Sequence, residues 1–492
     1  MPLHYPKDMV GRQVEWARLI EFIASGEGAA SLGVVWGRRR VGKSFLLESL
    51  AEQSGGFYYA AVRGSSAEAL RELGERLGAY QGLSVPLALA DWDSGVEALL
   101  ALGRDRDTLV VLDEFPYLLE HTPTLDSIIQ RAFGARLPTR ASSRTRLILC
   151  GSAMTVMSRL LVGTAPLRGR AGLDLRVSPF DFRMARQLHD IDELKTAFRT
   201  YAVIGGVAAY AREMSGSDLP SGANDFDRWI CRRVLSPAAP LFNEVALLLS
   251  EDAATAKARK INLYHATLAG VATGHHAHGS LASYVQIVGA SLAPIVEALA
   301  SAEFISRVQD PIRDKRPTYH PADPIMRFHY ALIRRHHTRL SRHHADTERI
   351  WQHLLPTFDS QVVGPCFAEA ARYWSTHFAK PATVGGQPDH VGPTTLVMED
   401  GIERQLDVVV SADDADAPSE RTILAIGEAK AGERITEGHL HRLEGSRTAL
   451  GHRADAAKLL LFGAEFAPRL RAAAAKRTDI ELVDLKRLYE GQ

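Results

Sequence analysis

The chain has 492 residues and a formal net charge of zero, 58 Lys and Arg set against 58 Asp and Glu. That balance excludes a uniformly basic nucleic-acid binder, so any polyanion contact must come from local patches. The length exceeds what one hydrophobic core holds and points to roughly three or four domains.

Cys150, Cys231 and Cys366 lie far apart, without the spacing of a zinc site or a disulfide framework. The opening "MPLHYPKDMVGR" has no apolar signal core. No apolar run reaches the roughly 18 residues of a membrane helix. The expectation is a cytoplasmic protein with no membrane partner.

Residues 31–180 alternate short apolar runs with helical patterns, the reading of a parallel sheet flanked by helices. The strand candidates are "LGVVW", "GFYYAAV", "TLVVLDE", "RLILCGS" and "DLRVSPF". After the first comes "WGRRRVGKS", in which Gly37 to Ser44 match G-x-x-x-x-G-K-[ST] with the helical "SFLLESLAEQ" beyond. The stretch Gly37, Arg38, Arg39, Arg40, Val41, Gly42, Lys43, Ser44 and Phe45 is therefore a phosphate cradle. Backbone N–H groups turn toward phosphate oxygens, Lys43 brings a point charge to the β- and γ-phosphates, and Ser44 reaches Mg²⁺. The expected cofactors are ATP and Mg²⁺. The variable positions of such a loop point away from the nucleotide. Arg38, Arg39 and Arg40 are thus either a contact with a neighbouring domain, subunit or polyanion, or a solvated face.

"TLVVLDEF" supplies Asp113 to hold Mg²⁺ and Glu114 to polarise water, the two acids a hydrolytic site needs at a strand end. "RLILCGS" ends in Ser152, read either as a sensor of the γ-phosphate or as an N-cap serine.

These segments, with "MVGRQVEWARLIEF", "LILCGSAMTVM" and "PLRGRAGLDLRVSPF", resemble the archaeal-type ATPases, a branch of the AAA+ and STAND-like P-loop NTPases, over residues 9 to about 330. The resemblance implies that Val10, Gly11 and Arg12 lie near the adenine. It also implies that Arg170, with Arg168, reaches the nucleotide phosphates, a surface ion pair being the other reading. Where relatives carry Gly-Gly-Val-Pro-Arg-Tyr, this chain has "GGVAAY" at 205–210, without the second nucleotide-sensing arginine.

Residues 185–345 turn helical, and the segment from "NLYHATLAGVATG" to "RPTYHPADPIMRFHY" resembles the winged helix that follows the ATPase in this family. It is read as a DNA-binding element or an intramolecular clamp on the ATPase. "RRHHTRLSRHH" places Arg334, Arg335, Arg339 and Arg342 in one basic run suited to backbone phosphates. "GHHAHG" at 274–279 reads as a polar loop.

Beyond "WQHLLPTFDS", the helix "PCFAEAARYWSTHFA" precedes the strand-like runs "RQLDVVVS", "TILAIGEAK", "KLLLFGAEF" and "IELVDL", with the acidic "ADDADAPSER" read as an exposed loop. Asp407 on one strand and Glu428 and Lys430 on the next form the D…E-x-K arrangement of PD-(D/E)xK nucleases. Alternation lets Glu428 and Lys430 converge while Ala429 points away. Asp407 and Glu428, with Glu369 from the preceding helix, are the expected ligands of Mg²⁺ or Mn²⁺, and Lys430 is the expected catalytic lysine. The order resembles the domain of unknown function 234, which is restriction-endonuclease-like.

The expected architecture is a multidomain α/β chain. A P-loop ATPase core spans 1–182, a helical lid 183–250, a winged-helix-like segment with the basic helix 251–345, and a nuclease-like domain 346–492. The expected function is ATP hydrolysis controlling a metal-dependent nuclease that acts on DNA. The alternatives are an ATP-dependent switch binding DNA or a protein partner through an inactive nuclease fold, and an assembly scaffold working as a homo-oligomer.

Overall fold

The computed structural model describes residues 3–25, 28–134, 138–216, 218–251, 261–314, 317–342, 346–398, 400–413 and 420–492. Much of "ADDADAPSER", together with His343 and His344 of the basic run, lies outside them. The chain forms two compact units, Met1–Phe180 with Val207–Ala209 and Asp181–Gly206 with Tyr210–Gln492.

The first unit is built on five strands, β1 Ser31–Trp36, β2 Phe57–Ala60, β3 Thr108–Asp113, β4 Thr145–Gly151 and β5 Ala171–Arg176, in the order β2-β3-β4-β1-β5. Every pairing is parallel. Both faces are covered by helices, so β3 and β4 are buried at every position and read as unbroken apolar runs. Alternation divides the side chains between two cores. Val110, Leu112, Phe57 and Tyr59 pack with Leu73, Leu77 and Leu99 of the helices Ser66–Tyr80 and Trp92–Ala101. Leu109 and Val111 pack on the other face with Trp16, Leu19, Leu46, Leu47 and Leu50 of the helices Gln13–Ala24 and Lys43–Ser54. Sequence places β5 late, because "DLRVSPF" continues past the last ladder residue, Arg176.

The second unit begins with helices, among them Phe182–His189, Leu194–Ile204, Ala223–Trp229 and Pro240–Glu251. Three more follow, Ile261–Ala272, His278–Val285 and Gly289–Ser301, before an antiparallel hairpin of β6 Ile305–Val308 and β7 Thr318–Pro321. The unit ends in a mixed sheet, β8 His390–Val397, β9 Glu403–Asp413, β10 Arg421–Ile435, β11 Lys458–Phe466 and β12 Ile480–Val483, in the order β12-β11-β10-β9-β8. β8, β9 and β10 pair antiparallel and β10, β11 and β12 parallel. The helix Gly364–His377 precedes this sheet and Glu437–Ala449 links β10 to β11. β8 is absent from the strand-like runs of the sequence because Gly392 and Pro393 interrupt its apolar pattern. An edge strand tolerates both.

Among the described residues no single helix is long and apolar enough to cross a membrane.

The second unit also buries histidines. Burial pushes His189 down to about 4, aided by Arg212 and opposed by a Gly205 backbone hydrogen bond, and pushes His329 down to about 3, aided by Arg334, His265 and His337. Both are therefore neutral in the folded chain at neutral pH, whereas in the unfolded chain they take up a proton near pH 6.5. A depressed histidine contributes no penalty above that unfolded value and destabilises the fold progressively as pH falls from it toward the folded values. Melting temperature is expected to fall between pH 7 and 4, and the fall should be shallower in His189→Gln and His329→Gln; identical profiles in the variants would contradict this.

Candidate functional site

The strand order brings the ends of β1, β4 and β3 side by side, with β4 between the other two. The turn after β1 is the glycine loop. A Cβ on Gly37 would stand 2.1 Å from the Val177 carbonyl oxygen, so only glycine lets the two backbones meet there. Gly42 opens the helix Lys43–Ser54 at φ 95°, and Arg40 takes φ 71°, a left-handed conformation uncommon for a side chain of its size. Lys43 is 5% exposed, and its Nζ donates to Gly37 O at 2.9 Å and Arg38 O at 2.8 Å. Burial lowers its pKa, opposed by the fields of Cys150, Glu114 and Asp113.

Facing it, Asp113 is buried at the end of β3. Ser44 Oγ donates to Asp113 Oδ2 at 2.6 Å, Tyr58 Oη donates to the same oxygen at 2.6 Å, and the Glu114 N–H donates to Oδ1 at 2.8 Å. Burial works to raise the carboxyl's pKa, yet hydrogen bonds from Cys150, Ser44, Tyr58 and the Glu114 amide hold it below the ordinary value. Glu114 is itself left-handed, φ 50°, and Ser152 Oγ donates to its carboxylate, 3.1 and 3.0 Å from the two oxygens. Backbone held in sparsely populated regions is concentrated at functional sites. The donor set fits a magnesium nucleotide: hard hydroxyl and carboxylate oxygens for the cation, an ammonium and a glycine loop for the phosphates.

The remaining N-terminal candidates divide by exposure. Arg12 is buried; it donates to Val41 O at 2.9 Å and to Glu15 at 2.8 Å, and lies 3.8 Å above the Phe180 ring, so it braces the loop from outside. Val10 and Gly11 precede it in the turn into the first helix. Arg39 donates to Tyr117 Oη at 2.5 Å, while Arg38 is buried and Val41 wholly so. Phe45, Arg168 and Arg170 are exposed, and Arg168 donates to Gly163 O at 2.8 Å. Within "GGVAAY", Val207–Ala209 belong to the first unit, where the Ala209 N–H donates to Arg40 O at 3.1 Å.

In the second unit a cleft of about 600 Å³ is lined by Glu369, Arg372, Asp407 and Lys430, with His276 and His320 at its edge. Asp407 Oδ2 accepts the Ala429 N–H at 2.9 Å. Burial raises the Asp407 carboxyl, against that hydrogen bond and the charges of Lys430 and Arg372. Lys430 Nζ stands 3.4 Å from Glu428 Oε1, so these two side chains converge, and Arg442 approaches the same oxygen at 3.1 Å. Glu369 shares the cleft with Asp407 but is engaged by an arginine. Its carboxylate forks onto the guanidinium of Arg327, 2% exposed, with Nη1–Oε2 at 3.1 Å and a second bond from Nη2 to Oε1. Among the described residues no group of three or more His, Cys, Asp or Glu is placed to hold a metal ion.

The segment just after β6 is packed on the C-terminal sheet. Asp310 accepts from Thr394 Oγ1 at 2.8 Å, Pro311 O accepts from Ser411 Oγ at 2.8 Å, and Arg421 reaches Pro311 O at 3.3 Å. Gly392 permits the contact, since a Cβ there would meet Gln309 O at 2.6 Å. In "GHHAHG" the rings are tied locally: His275 to Ser280, His276 to Tyr319 O and His278 to Gly289 O. Arg334, Arg335, Arg339 and Arg342 are all exposed. Sequence reasoning overlooked Tyr58, Cys150 as a donor to Asp113, Arg327 and Arg372. None belongs to a contiguous motif.

A parallel sheet whose first strand feeds a glycine loop and helix, with lysine and serine opposite a strand-end aspartate, defines a P-loop nucleotide-binding domain. Residues 10–202 match the family described as an ATPase domain predominantly from Archaea. An uncharacterized protein of Methanocaldococcus jannaschii is 24% identical over 304 residues, 61% of this chain; the match spans 63% of that relative's length. The Walker-type ATPase of Pyrococcus abyssi shares the fold, with TM-score 0.51 and 20% identity over 67% of this chain and 98% of that one. The ORC2 protein of Aeropyrum pernix aligns at TM-score 0.40 with 14% identity, over 72% of this chain and 97% of that one.

Proposed function

We propose that the chain binds and hydrolyses ATP at Lys43, Ser44, Asp113 and Glu114, and that its nucleotide state controls a C-terminal nuclease-like domain acting on DNA. The observation that carries the nucleotide half is the hydrogen bond from Ser44 to Asp113, which joins the loop and the acidic strand end into one site. Here Lys43 binds phosphate, Ser44 and Asp113 hold Mg²⁺, Glu114 orients water and Ser152 holds Glu114. Magnesium, when bound, neutralises phosphate charge.

What supports the nuclease half is the sequence of a helix, three antiparallel strands, a helix and a parallel strand, with Asp407 beside the Glu428–Lys430 pair on β9 and β10. Asp407 and Glu428 would hold Mg²⁺ or Mn²⁺, and Lys430 would orient the attacking water. The three helices and hairpin at 261–321 support a winged helix, and the packing of the segment after β6 on the C-terminal sheet speaks against a hairpin free to read DNA. Phosphate contact then falls to the exposed arginines of the basic run.

A second reading has its own observation: Glu369 and Glu428 are both engaged by arginines, which suits a nuclease fold retained as a partner-binding scaffold, alone or in a homo-oligomer. Labelled single- and double-stranded DNA incubated with Mg²⁺ or Mn²⁺, with and without ATP, separates the two. Cutting that Lys430→Ala reduces at least 100-fold is the expected result. No cutting under any condition would select the scaffold.

A further inference from the structure

We propose that Tyr58 is a positioning residue of the nucleotide site, fixing the orientation of the Asp113 carboxylate on which the divalent-cation dependence of nucleotide binding rests. The role presupposes the nucleotide-binding reading above.

Three observations carry it. Strand alternation on β2 sends Phe57 and Tyr59 into one core and leaves Tyr58 on the opposite face, the one covered by the helix that follows the glycine loop. There its hydroxyl is not turned to solvent but donates to Asp113 Oδ2 at 2.6 Å, as close as the Ser44 hydroxyl comes to the same oxygen. Oδ1 is taken by the Glu114 amide at 2.8 Å, so each carboxylate oxygen has an assigned donor and the group cannot rotate about its last bond without breaking one. A hydrogen bond to an ionised carboxylate is among the stronger ones available to a protein.

The neighbouring tyrosine supplies an internal contrast. Tyr59 is buried, its hydroxyl donating to the Ala69 carbonyl at 3.3 Å, and it has no contact with the acidic strand end.

The test compares the full-length wild type with Tyr58→Phe, Tyr59→Phe and Lys43→Ala. A fluorescent ATP analogue is titrated in Mg²⁺ and again in EDTA, and steady-state hydrolysis is measured alongside. Tyr58→Phe is expected to reduce the ratio of the Mg²⁺ to the EDTA affinity by at least about tenfold, the size of one hydrogen bond to a charged group. Its affinity in EDTA should stay within about twofold of wild type, and turnover should fall by about tenfold. Tyr59→Phe should leave the affinity ratio unchanged, which separates positioning from loss of strand packing. An unaltered ratio in Tyr58→Phe would overturn the proposal and make the tyrosine a sheet residue only. If Lys43→Ala binds the analogue as tightly as wild type, the loop is not the nucleotide site, and the role of Tyr58 falls with it.

Discussion

Lys43→Ala is expected to lower ATP affinity by roughly 100-fold and to bring hydrolysis to background, because removing one member of a buried charge pair costs about 3 kcal/mol. Lys43 is 5% exposed, and its ammonium donates to two carbonyls of the loop that would surround the phosphates. Burial lowers its pKa, while Glu114 and Asp113 lie near enough to oppose that effect. A cation kept in such a place is matched by a polyphosphate and by little else. The same substitution removes both loop hydrogen bonds, so a thermal melt must accompany the assay; a near-native melting temperature with lost binding is the expected pair. Retained binding and hydrolysis would refute the assignment of this loop.

Glu369→Ala is expected to destabilise the second unit by about 3–5 kcal/mol, the cost of leaving a buried charge without its partner. Arg327 is 2% exposed and Glu369 holds it through both carboxylate oxygens, with His320 Nδ1 3.6 Å from one of them. The carboxylate raises the guanidinium's pKa against the effect of burial. Replacing both members with apolar side chains of similar volume removes the stranded charge, so Arg327→Met with Glu369→Leu should lose far less than Glu369→Ala. Thermal melts of the two variants beside the wild type measure this. Equal losses in Glu369→Ala and the double variant would show that packing rather than the ion pair sets the cost. The consequence for function is direct. Lost cleavage in a Glu369 variant would report folding, whereas Lys430 is 35% exposed and its partner Glu428 keeps Arg442 when the lysine is removed, so Lys430 is the cleaner probe of chemistry.

Several parts of the candidate site were legible from local sequence. The glycine loop is one continuous turn, and its residues meet their function through backbone geometry that eight neighbouring positions determine among themselves. Asp113 and Glu114 end an apolar run, which by itself places them at the C-terminal end of a buried strand. The pair Glu428 and Lys430 shares a face because alternate residues on any strand do. Other features carry no such period. β8 escaped notice because an edge strand bears little of the apolar pattern. Glu369 was legible as an acid on a helix before the sheet, but not as the partner of Arg327, 42 positions earlier.

The sequence by itself determined the phosphate loop, the two acids at the end of β3, the α/β character of both ends and the helical middle, since each follows from the spacing of neighbouring residues. The tertiary structure alone decided which distant groups complete them. Inserting β4 between β1 and β3 puts Ser152 on Glu114, pairing β2 with β3 delivers Tyr58 to Asp113, and packing Gly364–His377 near the hairpin turns Glu369 to Arg327. These partners are brought together by chain closure and the burial of whole faces, and a local pattern records which face is buried but not which distant residue will meet it.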